Sequence, residues 1–415
     1  MANALKNPLT MLRTLSGFRS VYDSVCFCNR CGFCASDCPS YQYKQQEPFS
    51  PRGRNQALRQ ILTGKIKPKR ERDLLEEMVV SCALCGRCAQ HCPGEIPTVE
   101  HVLESRRRTG ISLLPRTLFW LLRLRGRNSR LFATLIKIGF ELHRIGVLRL
   151  LAWVPGFAWV KHASEILPRK APAKPVVINE PHPTLIYLPS LEAEFLSPGL
   201  FEQTYKLASQ QHEVAVWSNM SSGLFEYTYG NIRLARKLVR RLIVRHANIG
   251  GNVPLLTDSI EVYGFLKRAP QLFANLGSFE EKAKNFAACV HFITDFLSVD
   301  LKKVSCFSSP VGLIAQEPFY IDTTVQSKAK QILHTLFKKN FVECDYKAGV
   351  VPSLGYGFVK HTYAPAYALS AVQGLAAHQT QTVFVLSGLA ALELAFYVRT
   401  FYPTAQVRHL VELNG

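Results

Sequence analysis

The hydrophobic positions of this chain follow one period in its first part and another in its last part. Up to about residue 110, apolar side chains recur every three or four positions over 55–62, 70–80 and 98–108, which predicts amphipathic helices. From about residue 184, short apolar runs alternate with helical stretches, the pattern of an α/β arrangement. We therefore expect a multidomain protein that is all-helical at its N-terminal end and α/β at its C-terminal end.

The α/β part carries the same order of elements twice, at a spacing of about 127 residues. The predicted strands lie at 184–188, 214–217 and 253–256 in the first copy, and at 311–315, 341–344 and 382–386 in the second. The predicted helices lie at 199–211, 232–246 and 260–273, then at 324–339, 364–375 and 389–401. The chain is thus expected to contain a domain over 1–110, a segment over 111–183, and two related lobes over 184–300 and 301–415.

The segment over 111–183 combines apolar, aromatic and basic side chains. Its leucines alternate with arginines and tryptophans, among them Arg116, Arg123, Arg125, Arg127, Arg130, Trp120, Trp153 and Trp159. This composition is typical of basic amphipathic helices in a membrane interface, and also of helices that pack on the N-terminal domain or on a partner subunit. The stretch 168–183 is rich in Pro, Ala and Lys, which predicts a linker.

No segment has the composition of a transmembrane helix. The most apolar region, 131–160, contains Lys137, Glu141, Arg144 and Pro155, whereas a spanning helix needs about 20 mostly apolar residues. The first residues lack the apolar core of a secretion signal, so we expect none.

The formal net charge of +20 favours acidic partners, which could be an anionic membrane, an acidic subunit or nucleic acid. The helix predicted at 232–246 carries basic residues that would share one face, either solvated or docked on an acidic subunit. No nucleic-acid-binding motif accompanies them, so nucleic acid is the least favoured of these partners.

Two cysteine runs carry the chemistry of the chain, and they hold eight of its 12 cysteines. The runs are Cys28, Cys31, Cys34 and Cys38 followed by Pro39, and Cys82, Cys85, Cys88 and Cys92 followed by Pro93. Each has the spacing of the bacterial ferredoxin run that binds a 4Fe–4S cluster. Disulfides are typical of small secreted scaffolds, and zinc sites of paired ligands, so both fit the pattern less well.

The spacing also predicts which thiolates share a cluster. In two-cluster ferredoxins, the fourth cysteine of each run binds the other cluster. One cluster is thus assigned to Cys28, Cys31, Cys34 and Cys92, and the other to Cys82, Cys85, Cys88 and Cys38. Cys26 is expected to be a spare thiol, and Cys289, Cys306 and Cys344 are expected to be buried apolar thiols.

The N-terminal part resembles the iron–sulfur subunit of glycolate oxidase and its relatives in anaerobic glycerol-3-phosphate dehydrogenase and lactate utilisation. The resemblance covers about residues 24–108. It is carried by Cys31-Gly32-Phe33-Cys34, Cys38-Pro39-Ser40-Tyr41, Pro51-Arg52-Gly53-Arg54 and the second cysteine run. It implies an all-helical ferredoxin domain with two 4Fe–4S clusters, followed by two CCG domains related to heterodisulfide reductase.

The C-terminal part departs from the family pattern wherever the two align. Ser221-Ser222-Gly223 stands in place of the first Cys-Cys-Gly, and the second lobe has Gly349-Val350-Val351 leading to Gly355-Tyr356-Gly357. Further ligand positions correspond to Pro189, Phe319, Ser387 and Ala390. Hydroxyl and apolar groups cannot replace thiolates as soft ligands, so we expect these degenerate lobes to hold no further cluster. They would serve as a docking module, as a pocket for quinone or a partner loop, or only in assembly.

The resemblance implies an electron-transfer subunit with no catalytic residues of its own. A flavoprotein partner would oxidise a 2-hydroxy acid of the glycolate or lactate type, or glycerol-3-phosphate, and electrons would pass through the two clusters towards a membrane quinone. No flavin is expected on this chain, because no Gly-x-Gly-x-x-Gly follows a strand. Free thiols and iron ligands are typical of a reducing compartment, so we expect a cytoplasmic or peripheral inner-membrane location.

Two alternatives are a heterodisulfide reductase-like catalytic subunit and a nucleic-acid-binding protein with structural clusters. Arg52 and Arg54 would either add positive charge near a cluster or pair with local carboxylates and carbonyls.

Overall fold

The computed structural model describes most of the chain. The described residues are 21–68, 70–109, 116–154, 157, 159–169, 182–197, 199–274, 276–297, 309–314, 323–342 and 363–414. The predicted linker, Phe319, the loop at 349–357, Cys306 and Cys344 lie wholly or mostly outside these residues.

Every regular element described before residue 110 is helical. These elements are α1 (Val21–Cys26), α2 (Pro39–Lys44), α3 (Pro51–Leu62), α4 (Arg72–Val80), α5 (Arg87–Gln90) and α6 (Thr98–Thr109). The start of α3 follows from local sequence: Pro51 occupies the first turn, and the Ser50 hydroxyl accepts a hydrogen bond from the Gly53 N–H at 2.9 Å. Leu58 of α3 is fully buried against Val21 and Val25 of α1.

Four further helices lie in the segment 111–183, which the sequence predicts to be basic and amphipathic. They are α7 (Arg116–Arg127), α8 (Ser129–Arg144), α9 (Leu148–Leu151) and α10 (Trp159–Ile166). Asn128 caps α8 by accepting from the Leu131 N–H, and Phe132 of α8 packs edge-on against Phe195 at 5.0 Å. Among the described residues, no helix combines the length and hydropathy that crossing a bilayer requires.

The first sheet is parallel, with strand order β2-β1-β3-β4. Its strands are β1 (Leu185–Tyr187), β2 (Val214–Val216), β3 (Leu255–Thr257) and β4 (Val290–Phe292). Parallel neighbours need crossover connections. These contain α11 (Leu191–Phe195), α12 (Leu200–Ser209), α13 (Leu224–Thr228), α14 (Ile232–Asn248), α15 (Ile260–Lys267), α16 (Ala269–Leu272) and α17 (Ser278–Ala288).

The second sheet is also parallel and has the corresponding order β6-β5-β7-β8. It contains β5 (Val311–Ile314), β6 (Phe341–Val342), β7 (Thr382–Val385) and β8 (Gln406–His409), with helices α18 (Thr323–Phe337), α19 (Ala364–Ala377) and α20 (Gly388–Phe401). We call the two sheets with their helices the first and second lobes. All six strands expected from the sequence are present, but β4 and β8 were missed and the helix expected over 260–273 is divided into α15 and α16.

One hydrophobic core joins the parts of the chain. It includes Val79 and Val102 from the N-terminal helices, Phe132 from α8, Leu256 from the first lobe and Phe384 from the second. The lobes also meet through the backbone, since the Ile260 N–H donates to the Leu386 carbonyl at 3.0 Å. The cysteine-bearing helices therefore rest on both sheets rather than forming an isolated module.

Candidate iron–sulfur site

The two cysteine runs adopt the same backbone conformation. The residue before the second cysteine has a positive φ in each run, 58° at Arg30 and 56° at Leu84. The glycine after that cysteine is also left-handed, with φ of 95° at Gly32 and 78° at Gly86. A non-glycine residue at positive φ is uncommon, so its occurrence at matched positions marks a loop shape that both runs require.

Hydrogen bonds within the runs match as well. The Ala35 N–H donates to the Gly32 carbonyl at 2.8 Å, and the Ala89 N–H donates to the Gly86 carbonyl at 2.9 Å. At the fourth cysteine, the amides of Cys38 and Cys92 donate to the carbonyls of Ala35 and Ala89, both at 3.2 Å. Arg52 packs closely over this turn, since a Cβ on Gly32 would lie 2.8 Å from its Nη1 atom.

The thiols of the two runs perturb one another across the site. Burial raises the pKa of Cys34 to about 11, followed by the charges of Cys28, Cys38 and Cys92, while a backbone hydrogen bond at Arg52 opposes the shift. A thiol with a raised pKa resists becoming a thiolate unless a cation compensates the charge. Cys34 therefore lies within electrostatic reach of the fourth cysteine of each run, Cys38 and Cys92.

The second run shows the reciprocal relationship. Burial raises the pKa of Cys85 to about 12, with further contributions from Cys82 and Cys38. Burial also raises the pKa of Cys88 well above its ordinary value, followed by the charges of Cys85, Cys82 and Cys38. Cys38 therefore influences thiols of both runs, Cys34 in the first and Cys85 and Cys88 in the second.

Several donors point at the sulfur atoms. The Leu84 N–H donates to Sγ of Cys82 at 3.4 Å, and the Ile96 N–H donates to Sγ of Cys92 at 3.5 Å. The Ser40 hydroxyl lies 3.2 Å from Sγ of Cys38. Hydrogen bonds to ligand sulfurs are one means by which proteins adjust the potential of an iron–sulfur cluster, so these contacts suit such a group.

Arg54 is a buried cation beside both runs. Its Nη1 lies 3.9 Å from Sγ of Cys38, its Nη2 donates to the hydroxyls of Ser40 at 2.8 Å and Ser81 at 2.7 Å, and its Nε donates to the Met78 carbonyl at 2.7 Å. Burial alone would lower the pKa of Arg54, but the charges of Cys82 and Cys38 raise it above its ordinary value.

Arg52 pairs with a local carboxylate and a carbonyl, the second of the two roles considered in the sequence analysis. Its guanidinium makes a two-pronged ion pair with Glu47 at 2.7 and 2.9 Å and donates to the Arg30 carbonyl at 3.2 Å. The pair with Glu47 raises the pKa of Arg52. This residue therefore braces the first cysteine loop from outside.

Two more contacts join the second run to the lobes, and the sequence analysis did not identify them. Buried Arg106 donates to the carbonyls of Val79, Cys82 and Thr228 at 3.1, 2.9 and 3.0 Å. Its guanidinium also lies 5.5 Å from the ring centre of Tyr229. From the second lobe, the buried Tyr367 hydroxyl donates to the Ser81 carbonyl at 2.8 Å.

The ten cysteines in the described part of the chain are free thiols. Within that part, no three Cys, His, Asp or Glu side chains converge closely enough to bind one metal ion. A 4Fe–4S cluster places one thiolate on each of four irons, so its ligands surround a group larger than a single ion. Cys26 is half-buried, and so is Cys289, which was expected to be buried because it lies in apolar sequence.

Two positions at which the sequence analysis expected lost ligands line a small cavity of the first lobe. Pro189 and Ser222 line it together with Glu192, Glu261 and Arg125. The Ser387 hydroxyl from the second lobe donates to Glu261 at 2.7 Å. Carboxyl and hydroxyl groups therefore meet at this small cavity.

The buried carboxyls of Glu192 and Glu226 are protonated more readily than usual. Burial raises the pKa of Glu192, and the nearby carboxyls of Glu261 and Asp258 raise it further. Burial likewise raises the pKa of Glu226 to about 7. A Cβ on Gly388 would lie 2.5 Å from Cγ of Glu192, so α20 packs tightly over this site.

Comparison with known proteins places the cysteine loops in context. Residues 24–96 match the family model of the 4Fe–4S dicluster domain. The chain is 34% identical over 80 residues to the probable glycolate oxidase iron–sulfur subunit of Bacillus subtilis (strain 168), covering 19% of this chain and 17% of that protein. It is 33% identical over 69 residues to the glycolate oxidase iron–sulfur subunit of Escherichia coli (strain K12), covering 17% and 16%.

No solved structure matches this chain. The similarity spans about a sixth of each relative. The residues that match the family model, 24–96, include both cysteine loops. On the evidence of the loops, their sulfur-directed donors and this match, the chain is an iron–sulfur protein.

Proposed function

We propose that this chain is the electron-transfer subunit of a flavin-linked dehydrogenase complex and holds two 4Fe–4S clusters. The observation that carries the proposal is the pair of cysteine loops with matched left-handed residues at Arg30 and Leu84 and at Gly32 and Gly86. Such clusters supply one-electron transfer between donors and acceptors that the protein brings close.

We assign one cluster to the thiolates of Cys28, Cys31, Cys34 and Cys92, and the other to those of Cys82, Cys85, Cys88 and Cys38. The ligand spacing of two-cluster ferredoxins supports this crossed assignment. The influence of Cys92 on Cys34, and of Cys38 on Cys85 and Cys88, places the two runs close enough for it. Arg54 offsets the negative charge of Cys38 and Cys82. The amides of Leu84 and Ile96 donate to the sulfurs of Cys82 and Cys92, and the Ser40 hydroxyl lies beside Sγ of Cys38.

The partner in this proposal is a flavoprotein subunit that oxidises a small 2-hydroxy acid such as glycolate or lactate, or glycerol-3-phosphate. The names of the two similar proteins, both glycolate oxidase iron–sulfur subunits, favour the hydroxy acid. The acceptor is a membrane quinone, reached from the cytoplasmic face. The two lobes, 184–300 and 301–415, carry no cluster and serve as the frame that holds the helical domain, 1–110.

Anaerobic purification followed by iron and sulfide analysis tests the proposal. We expect about eight irons and eight sulfides per chain, with interacting EPR signals from the reduced protein. Four irons or fewer would contradict the pair of clusters, and about twelve would contradict the absence of a cluster in the lobes.

Co-purification tests the partner separately. A tagged chain expressed with its neighbouring genes is expected to retain a flavin-containing subunit, detected by its absorbance after acid release. A preparation with full iron content and no flavoprotein would reject the complex while leaving the clusters in place.

A further inference from the structure

The middle helices enclose an apolar cavity that the electron-transfer site does not use. Its volume is about 160 Å³, and it lies between α7, α8 and α10 on one side and the first lobe on the other. An engineered protein cavity of roughly 150 Å³ with apolar walls stays dry and binds benzene. The space therefore accepts a hydrocarbon segment of roughly six carbons.

The walls offer almost nothing for a polar ligand to bind. Most lining side chains are aliphatic or phenylalanine. Two lining residues with polar atoms direct them to protein partners: His143 Nε2 lies 3.3 Å from the Leu167 carbonyl, and Trp159 Nε1 donates to the Thr117 hydroxyl at 2.9 Å. A charged or strongly hydrated ligand would lose its water there without compensation.

The same helices are apolar on their outer face. Leu131, Ile138 and Ile145 follow one another every seven residues along α8 and its C-cap, and all three are exposed. Leu150 and Trp153 continue this surface, and Trp153 is 87% exposed. A helix that is apolar on its buried face and also on its outer face is typical of a site where a membrane or another protein binds the outer face.

Cations accompany the four aliphatic positions of this surface. Arg130, Lys137, Arg144 and Arg149 directly precede Leu131, Ile138, Ile145 and Leu150, and all four are exposed. Arg144 pairs with Glu141 on the surface. An apolar stripe beside a cationic stripe, with tryptophan at its edge, complements an anionic bilayer surface better than it complements an aqueous protein face.

The cavity is close to the iron–sulfur site. Tyr229 lines the cavity, and its ring packs under the guanidinium of Arg106, which donates to the Cys82 carbonyl. A ligand in the cavity is thus separated from the second cysteine loop by Tyr229 and Arg106.

We propose that this cavity binds the hydrocarbon chain of a membrane amphiphile, and that the outer face of α8 and α9 rests on the anionic bilayer that supplies it. The inference deepens the proposed route to a membrane quinone, on which it rests for the identity of the acceptor. An isoprenoid tail and a lipid acyl chain share the chemistry that the walls select, so the test distinguishes these two sources.

Trp159 provides a direct readout of chain binding because it lines the cavity. Titrating the cluster-loaded full chain with 9,10-dibromostearate is expected to quench its fluorescence, with stearate as the control for optical effects. The quenched component is expected to disappear in Trp159→Phe. Decylubiquinone, titrated in the same way, measures the affinity for a quinone. At least tenfold tighter binding of decylubiquinone would identify the ligand as a quinone, and at least tenfold tighter binding of 9,10-dibromostearate would identify it as a lipid acyl chain.

Gly139→Leu tests the site itself. Gly139 lines the cavity on α8, and a Cβ there would meet no atom within 4 Å, so a leucine side chain would fill the space. Leucine also has a higher helix propensity than glycine, so the helix is expected to tolerate it. We expect at least tenfold weaker binding of both probes, unchanged iron content and a melting temperature no lower than that of the wild type. Thr134→Leu, which adds the same bulk on the exposed side of α8, is expected to bind like the wild type.

Sedimentation with vesicles of equal parts phosphatidylglycerol and phosphatidylcholine tests the outer face. We expect binding at low salt that weakens severalfold in Ile138→Gln, while Leu276→Gln, at an exposed leucine elsewhere, binds as before. Equal probe affinity in Gly139→Leu and wild type would overturn the cavity assignment. No sedimentation at low salt would overturn the bilayer contact and leave a partner subunit as the cover. The iron and sulfide analysis is independent of both results.

Discussion

Nη1 of Arg54 lies 3.9 Å from Sγ of Cys38, which places a fully buried cation against the cysteine that the first run shares electrostatically with the second. The same guanidinium donates to the hydroxyl of Ser81, the residue directly before Cys82. One side chain therefore organises both cysteine loops.

Replacing Arg54 by methionine is expected to weaken cluster binding by roughly 10–100-fold, the usual effect of losing a residue that supports metal ligands. The substitution removes the charge beside Cys38 and the donors to Ser40, Ser81 and the Met78 carbonyl. The rate of iron release to a chelator measures the effect. Arg59→Met, on the same helix, is the matched control, and an equal rate in the two variants would remove Arg54 from the site.

Cys38→Ser is expected to destabilise the cluster bound by the second run, because the crossed assignment makes Cys38 its fourth ligand. Cys92→Ser is expected to affect the cluster of the first run. Iron content and EPR of each variant distinguish the two clusters, and Cys26→Ser is expected to match the wild type. If Cys38→Ser removes only the first-run signal, ligation is local and not crossed.

The stability of the N-terminal helices is expected to depend on pH through His101. Burial lowers the pKa of His101 to about 3, and its ring lies 2.8 Å from Oδ1 of Asn55 and 2.7 Å from Oγ of Ser24. The unfolded chain takes up this proton near pH 6.5. The neutral His101 ring therefore contributes its full stabilisation of the fold above pH 6.5. This stabilisation is lost as the pH falls towards 3, at up to about 1.4 kcal/mol per pH unit.

In His101→Gln, the denaturation midpoint should change less between pH 6.5 and 5 than it does in the wild type. His378→Gln, at an exposed position, should retain the wild-type slope. Because acid also releases iron from both proteins, the difference between variant and wild type is the quantity to compare. Parallel slopes for all three proteins would show that His101 does not titrate as described.

Glu192→Gln is expected to stabilise the fold as the pH rises. Burial raises the pKa of Glu192 in the folded protein, and the carboxyls of Glu261 and Asp258 raise it further. The protonated side chain therefore contributes its full stability below pH 4.5, the ordinary pKa of a glutamate, and this stability is lost as the pH rises through the pKa of the folded state. The amide cannot ionise, so the gain over the wild type should grow to about 1–3 kcal/mol between pH 5 and 8. Urea denaturation at pH 5 and at pH 8 measures the effect. Glu202→Gln, on the exposed side of α12, is the control.

Tyr367→Phe is expected to loosen the contact between the second lobe and the cysteine loops. The variant loses the hydrogen bond to the Ser81 carbonyl, worth about 1 kcal/mol. Faster amide exchange over 79–84 would reveal the change, while Tyr402→Phe on the far end of α20 should not alter it. Unchanged exchange in Tyr367→Phe would mean that the lobe is held there by packing alone.

The sequence was sufficient for the cysteine loops because their chemistry is local. Ligand spacing alone placed Gly32 and Gly86 at matched positions, and both are left-handed in the structure. It could not distinguish Arg52 from Arg54. Since α3 begins at Pro51, residues two positions apart lie on nearly opposite helix faces, and only Arg54 turns inward.

Features that depend on distant partners were harder to predict. Arg106 lies in a run of three arginines that reads as a solvated surface, yet its acceptors at Val79 and Thr228 come from other parts of the chain. The strand β4 is only three residues long, and β8 is an edge strand with polar positions, so neither gave a clear apolar run. The common origin of the two lobes stays a prediction, although their sheets have the same strand order.

Arg106 ties the Cys82 carbonyl to the first lobe through the Thr228 carbonyl, and this has a consequence for native-state fluctuations. Local opening of a loop exposes its amides to solvent only when the contacts that hold it are broken. At Cys82 those contacts reach into the first lobe, so the loop shares its opening free energy with an element more than 120 positions away along the chain. Hydrogen exchange at the second cysteine run should therefore rise and fall together with exchange at the end of α13.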